Sequence, residues 1–215
     1  PHTPVRGQRQ MFIRDSPIAD LGAGLYAVIG ILSAIQSREK NDSGEHVDIS
    51  MLDTQVSLLT YMATMHFLSG ENPEPIGNQH MNHVPFNSYR TSDGFIQIGV
   101  VAEDFWPSLI EALDLRQLDT EENKVRIGRL KNRENIDEAL QEVFITNTTE
   151  HWLKILQEHR VPCGPINTLS ETFEDADLLK RNMIVEVLQD SGASVKMPGN
   201  PVKISVSYTH LTLPT

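Results

Sequence analysis

The chain has 215 residues, 39% of them hydrophobic and 22% charged, and a formal net charge of -11. That length suffices for one large domain or two small ones with a real core. So acidic a balance argues against nucleic acid or an anionic membrane surface as partner, while leaving room for a local basic pocket.

Residues 1–17 mix Pro, Gly, Arg and Gln without periodicity and read as a loop. From Ile18 to about Lys40 the pattern turns helical, with Leu21, Leu25, Ile29, Leu32 and Ile35 three or four residues apart. Gly22, Gly24 and Gly30 lie inside that helix, each costing roughly 1 kcal/mol relative to Ala. Close approach of another chain segment or of a ligand is the usual compensation. Asp20 falls in the first turn, where a carboxylate suits the helix dipole.

Asn41 to Gly44 is turn chemistry, and His46–Met51 alternates polar and apolar as a half-buried strand does. One further apolar helix is predicted from about Leu52 to Leu68, stopped by Gly70. Residues 71–86 carry Pro73, Pro75 and Pro85 with His80 and His83, and read as a long loop at a domain boundary. A hairpin follows, Asn87–Thr91 and Phe95–Val100 about Ser92-Asp93-Gly94. Helices are predicted at about 103–114, 133–145 and 149–159, the last capped by Thr148 or Thr149, and another near 169–181. Met183–Leu188 reads as a strand, and Met197–Lys203 as a turn into a last extended piece. Mixed elements in this order predict an α/β region followed by a smaller α+β domain.

The single cysteine, Cys163, has no partner for an internal disulfide and sits in a rigid turn between Pro162 and Pro165. A reducing compartment follows: cytoplasmic, or mitochondrial or peroxisomal in a eukaryote. No signal peptide is visible, and Gly, Ser and charges interrupt each apolar run before the roughly 18–20 residues of a membrane span. His80 and His83 lack a third ligand nearby, so no metal site is expected. Lys124, Arg126, Arg129, Lys131 and Arg133 read as a solvated basic face able to meet a phosphate. Glu103 and Asp104 stand where a strand hands over to a helix; they read as helix caps or as polar groups aimed at a cleft. Asp20, followed by Gly22-Ala23-Gly24, reads either as a dipole partner or as a nucleophile that small neighbours leave approachable.

The ordered set Ile18–Leu32, Gly44–Asp53, Gly77–His80 with Val84–Phe86, Tyr89–Gly94, Asn132-Arg133, Trp152, Val161–Ile166 and Pro198–Lys203 resembles the class III CoA-transferases, the CaiB/BaiF family. It spans nearly all of residues 16–205. The resemblance implies part of a Rossmann-like large domain plus a smaller α+β domain, in a family whose two chains interlock as a homodimer. Residues 1–51 would end the first half of the large domain, 52–78 form a linker, 79–180 the small domain, and 181–205 return to the large one. The last ten residues, Val206 to Thr215, match one reading frame of a transposase sequencing adapter and are expected to be no part of the fold. The stretch Arg6–Ser16 looks longer than the family's usual approach to the Asp motif, and the chain is expected to be a truncated fragment.

The activity implied is CoA transfer from an acyl-CoA to a small carboxylic acid, with no permanently bound cofactor and the CoA thioester as substrate. In the family scheme Asp20 attacks the acyl carbonyl, forming a mixed anhydride and releasing CoA thiolate. The thiolate then attacks the Asp carbonyl, freeing the first acid and leaving an aspartyl-CoA thioester that the acceptor reverses. Gly22, His80, Asn82 and Glu103 are the substrate-contact candidates, with backbone N–H groups near Gly22 as oxyanion donors. The alternatives are an α-methylacyl-CoA racemase, with Asp20 as base and Glu103 matching a glutamate of that branch, and an inactive fragment or non-catalytic subunit.

Overall fold

The computed structural model describes residues 17–190 and 192–203. The expectations for Arg6–Ser16 and for residues 206–215 lie outside them. The chain divides into two compact units, one up to Pro75 and one from Ile76.

The first unit is helical. Helix α1 runs Ile18–Asn41 and stops at Asp42, whose left-handed backbone (φ 51°) returns its N–H to Arg38 O. Two short helices follow, α2 (Met51–Ser57) and α3 (Tyr61–Ser69). Ser50 caps α2 by accepting the Asp53 N–H at 3.2 Å. The sequence pattern predicts one helix over this region; the ladder breaks because Thr60 takes φ 49°, outside the helical well. The strand expected over His46–Met51 does not form: nothing among the described residues pairs with it, and a strand exists only with a partner. Its Val47 packs beneath Gly30, where an added Cβ would come within 2.8 Å.

The aliphatic stripe of α1 remains in solvent, with Leu25 67% and Leu32 61% exposed. By length and composition α1 would also pass as a membrane span, contrary to the expectation from sequence, because it carries no charge between Asp20 and Arg38. A core helix of a water-soluble protein passes the same test.

The second unit holds the hydrophobic core. Strands β1 (Phe86–Arg90) and β2 (Phe95–Gly99) form the expected antiparallel hairpin, with Arg90 opposite Phe95. A third strand, β3 (Cys163–Pro165), pairs antiparallel with β2, Ile98 opposite Cys163. Helices α4 (Phe105–Leu113), α5 (Arg126–Lys131), α6 (Arg133–Phe144) and α7 (Thr149–Glu158) join them, with a 3-10 turn at Arg116–Leu118. Alternate residues of β2, Ile96 and Ile98, meet Leu109 of α4, Ile136 and Leu140 of α6 and Leu156 of α7 in one cluster. Thr148 caps α7, accepting the His151 N–H. The single helix expected near 169–181 is two, α8 (Leu169–Glu174) and α9 (Ala176–Lys180), because Asp175 is extended and caps the second. Strand β4 (Ile184–Leu188) pairs with β5 (Ser194–Pro198), which the sequence reading places partly in a loop. The architecture is mixed α and β with small antiparallel sheets.

Candidate functional site

Asp20 occupies the third position of α1 and is exposed. Pro17, at the N-cap, supplies no side-chain hydrogen bond, and among the described residues the first N–H tied back is that of Leu21, to Pro17 O at 2.9 Å. The amides of Ile18, Ala19 and Asp20 therefore carry the positive end of a 24-residue helix. Donors for a developing oxyanion are available there rather than at Gly22, whose amide lies inside the helical ladder.

The glycines after Asp20 differ in purpose. Gly22 is buried, and a Cβ on it would lie 2.9 Å from Thr54 Cγ2 and 3.3 Å from Leu58 Cδ1, so its smallness admits α2. Gly24 stands one turn beyond Asp20, on the same face, and no described residue lies within 4 Å of where its Cβ would be. Packing among the described residues explains Gly22 and leaves Gly24 unexplained. Melting curves of the chain should separate them. Gly24→Ala should gain up to about 1 kcal/mol from helix propensity. Gly22→Ala should lose about 1–3 kcal/mol by overpacking. Equal shifts would show that the Thr54 contact does not constrain Gly22.

The other candidates lie in the second unit, His80 and Asn82 on the loop before β1 and Glu103 between β2 and α4. Three arginines hold that loop by its carbonyls. Arg133 donates through Nη2 to His80 O at 2.8 Å and to Met81 O at 3.3 Å, and through Nη1 to Gln79 Oε1 at 3.3 Å. Arg129 donates through Nε to Val84 O at 2.8 Å, and Arg126 through Nη1 to Asn82 O at 3.4 Å. Asp137 anchors the loop's start, accepting from Gln79 Nε2 at 3.0 Å and from the Tyr89 hydroxyl. Burial, then the Asp137 charge, hold that phenol above its usual range.

His80 Nδ1 accepts the Asn82 N–H at 3.0 Å, which leaves the proton of the neutral ring on Nε2. Its ring lies 4.7 Å from that of His83 and 5.3 Å from Phe86. Burial, the neighbouring His80, and the Arg126 and Arg129 charges lower the His83 pKa against the opposing pull of Glu103. His80, Asn82 and His83 are thus fixed together on one arginine-braced loop.

Glu103 is bound to the scaffold. Its Oε2 receives Arg129 Nη2 at 2.7 Å and its Oε1 receives the Arg126 N–H at 3.1 Å, at the start of α5. Partial burial pushes its carboxyl up, but these bonds and the two guanidinium charges outweigh it and the net shift is downward. Asp104, at the N-cap of α4, makes no side-chain cap bond.

The basic cluster is not the uniformly solvated face expected. Arg129 is 2% exposed, spends further bonds on Asn123 O (2.9 Å) and Lys124 O (3.3 Å), and stacks 5.2 Å from the Trp106 ring centre. Sequence alone missed this because a buried arginine and a solvated one look alike in a basic run; the signal lay in the number of backbone carbonyls left by two adjacent loops. Cys163 is half-buried in β3, and burial raises its thiol pKa, which disfavours a thiolate nucleophile. No group of three metal-ligating side chains occurs among the described residues.

The family model described as "CoA-transferase family III" matches residues 5–215. The human protein "Succinyl-CoA:glutarate CoA-transferase" is 28% identical over 189 residues, which cover 87% of this chain and 43% of that protein. "Succinyl-CoA:mesaconate CoA-transferase" of Haloarcula marismortui is 32% identical over 190 residues, covering 87% of this chain and 47% of that one. Among solved structures, a CAIB/BAIF family protein from Brucella suis superposes with a TM-score of 0.75 at 28% identity, covering 90% of this chain and 50% of its own. The chain spans about half the length of the relatives it matches.

Proposed function

The chain belongs to CoA-transferase family III, and from that premise we propose that the full-length protein containing it moves CoA from an acyl-CoA to a carboxylic acid through an acyl group carried on Asp20. The observation that carries the role of Asp20 is its place: an exposed carboxylate in the first turn of a long helix that Pro17 does not cap, with no described residue within 4 Å of a Cβ at Gly24 one turn on. The helix-start amides would stabilise the oxyanion that forms when Asp20 attacks the thioester carbonyl. Splitting the exchange into anhydride and aspartyl-CoA steps replaces one hard acyl transfer by easier ones. His80 and Asn82 would contact the substrate from their braced loop. A Rossmann-like large domain, completed by sequence outside this chain, and an interlocked homodimer belong to the same proposal. The substrates proposed are dicarboxylic acids, since the relatives' names speak of succinyl, glutarate and mesaconate.

The racemase alternative would use the same Asp20 as base, with Glu103 held by Arg129 and by the start of α5. Incubating the full-length protein with succinyl-CoA and a panel of acids should give CoA exchange. Racemisation of a 2-methylacyl-CoA without exchange across the panel would establish the alternative.

A further inference from the structure

We propose that the loop from Gln79 to Pro85 is a proton-operated latch, closed while the imidazoles of His80 and His83 are neutral and released when they take up protons. The inference lies wholly within the second unit and is independent of the transferase reading. The loop closes on itself through one imidazole. His80 Nδ1 accepts the Asn82 N–H at 3.0 Å, and the His80 N–H returns to Phe86 O at 3.2 Å. The first of these bonds needs a lone pair on Nδ1. An imidazolium carries a proton on both nitrogens, so protonation sets a donor against a donor and breaks the turn.

The other holds on the loop are cations. Arg133 of α6 donates to His80 O and Met81 O, while Arg126 and Arg129 of α5 donate to Asn82 O and Val84 O. Between these carbonyls lie the two rings, half-buried and 4.7 Å apart at their centroids. β1 sets the uncharged Phe86 ring 5.3 Å from His80. Guanidiniums grip the loop well while the imidazoles are neutral, and each added proton places a like charge among them. The neighbouring carboxylates are already engaged. Glu103, ahead of α4, accepts from the Arg129 guanidinium and the Arg126 N–H, and Asp137 of α6 accepts from Gln79 and the Tyr89 hydroxyl.

The direction of the proton's effect follows. Burial first, then His80, Arg126 and Arg129, lower the His83 pKa from 6.5, against the opposing pull of Glu103. Below pH 6.5 the closed loop therefore binds fewer protons than the open one. Closure is undisturbed above pH 6.5 and is lost progressively as pH falls through the lower closed-state value. Glu103, with its pKa below 4.5, is still ionised at pH 5, so its bond to Arg129 stays in place across that window.

The test is hydrogen–deuterium exchange of the full chain at pH 7.5 and pH 5, read on peptides and corrected for the intrinsic pH dependence of exchange. Protection over residues 79–86 should fall about tenfold at pH 5, the scale of one lost hydrogen bond, while that of α6 and of the β1–β2 hairpin holds. His80→Asn combined with His83→Gln removes both titrating rings. The side-chain oxygen that His80→Asn introduces can accept the same N–H two residues on, as in an Asx turn. The double variant should keep its loop protection at both pH values. Unchanged protection in the wild type overturns the proposal. So does an equal fall in the double variant, which would mean that the proton acts elsewhere. If the loop of the double variant is already unprotected at pH 7.5, His83→Gln alone decides: a smaller fall than in the wild type supports the latch, and an equal or larger one overturns it.

Discussion

Replacing Asp20 by Asn in the full-length protein should remove CoA exchange, a loss of at least about 10⁴-fold on the scale seen when a catalytic nucleophile is deleted. The amide oxygen cannot form the anhydride, whatever else in the site stays intact. The fold should not notice. Asp20 is exposed, makes no cap bond, and shares its shape with Asn, so the change in stability should stay within about 0.5 kcal/mol. Exchange between labelled succinate and succinyl-CoA measures the first quantity and a urea melt the second. Near-normal turnover in Asp20→Asn, with deamidation excluded by mass, would take the nucleophile role from Asp20.

The second large effect concerns stability. Arg129→Ala should cost about 3–5 kcal/mol, because it empties a fully buried site and leaves backbone carbonyls without their donors. It strips donors from the carbonyls of Val84, Asn123 and Lys124 and leaves a space over Trp106. Glu103→Gln should cost less, because Glu103 is an exposed partner with 55% of its side chain in solvent. The pair also sets a pH dependence. The Glu103 carboxyl has its folded pKa below the ordinary 4.5. Its contribution is therefore full above pH 4.5 and is lost as pH falls through the lower folded value. Urea melts of wild type and Glu103→Gln between pH 7 and pH 3 should converge at the acid end. A constant gap would mean that the carboxylate charge is not what Arg129 uses.

Much of this could be read from the sequence wherever local chemistry decides. The start of α1 at Ile18, the β1–β2 hairpin and the Thr148 cap of α7 each follow from periodicity or a capping residue. What escaped depends on distant partners. Cys163-Gly164-Pro165 is a strand only because β2 offers it a free edge, and no three-residue pattern announces that. The His46–Met51 alternation is a sound strand signal without a neighbour. At the site, Asp20 was visible through its helix and its glycines, whereas the distinct fates of Arg126, Arg129 and Arg133 depend on carbonyls that only folding brings near.

The Asp-Gly turn of the hairpin joins the strands through a four-residue loop, with Thr91 N–H returning to Gly94 O. Asp93 Oδ1 receives the Thr149 N–H at 2.8 Å, the Thr149 hydroxyl at 3.0 Å and the Thr91 hydroxyl at 3.1 Å. One carboxylate oxygen thus serves a strand end, Thr91, and a helix start, Thr149, 58 positions apart. These three positions are not independent under mutation and drift. A lineage that trades Asp93 for a residue without a side-chain acceptor leaves the Thr91 hydroxyl only the Gly94 N–H at 3.0 Å and the Thr149 hydroxyl at 2.7 Å, so substitutions at 91, 93 and 149 should be coupled.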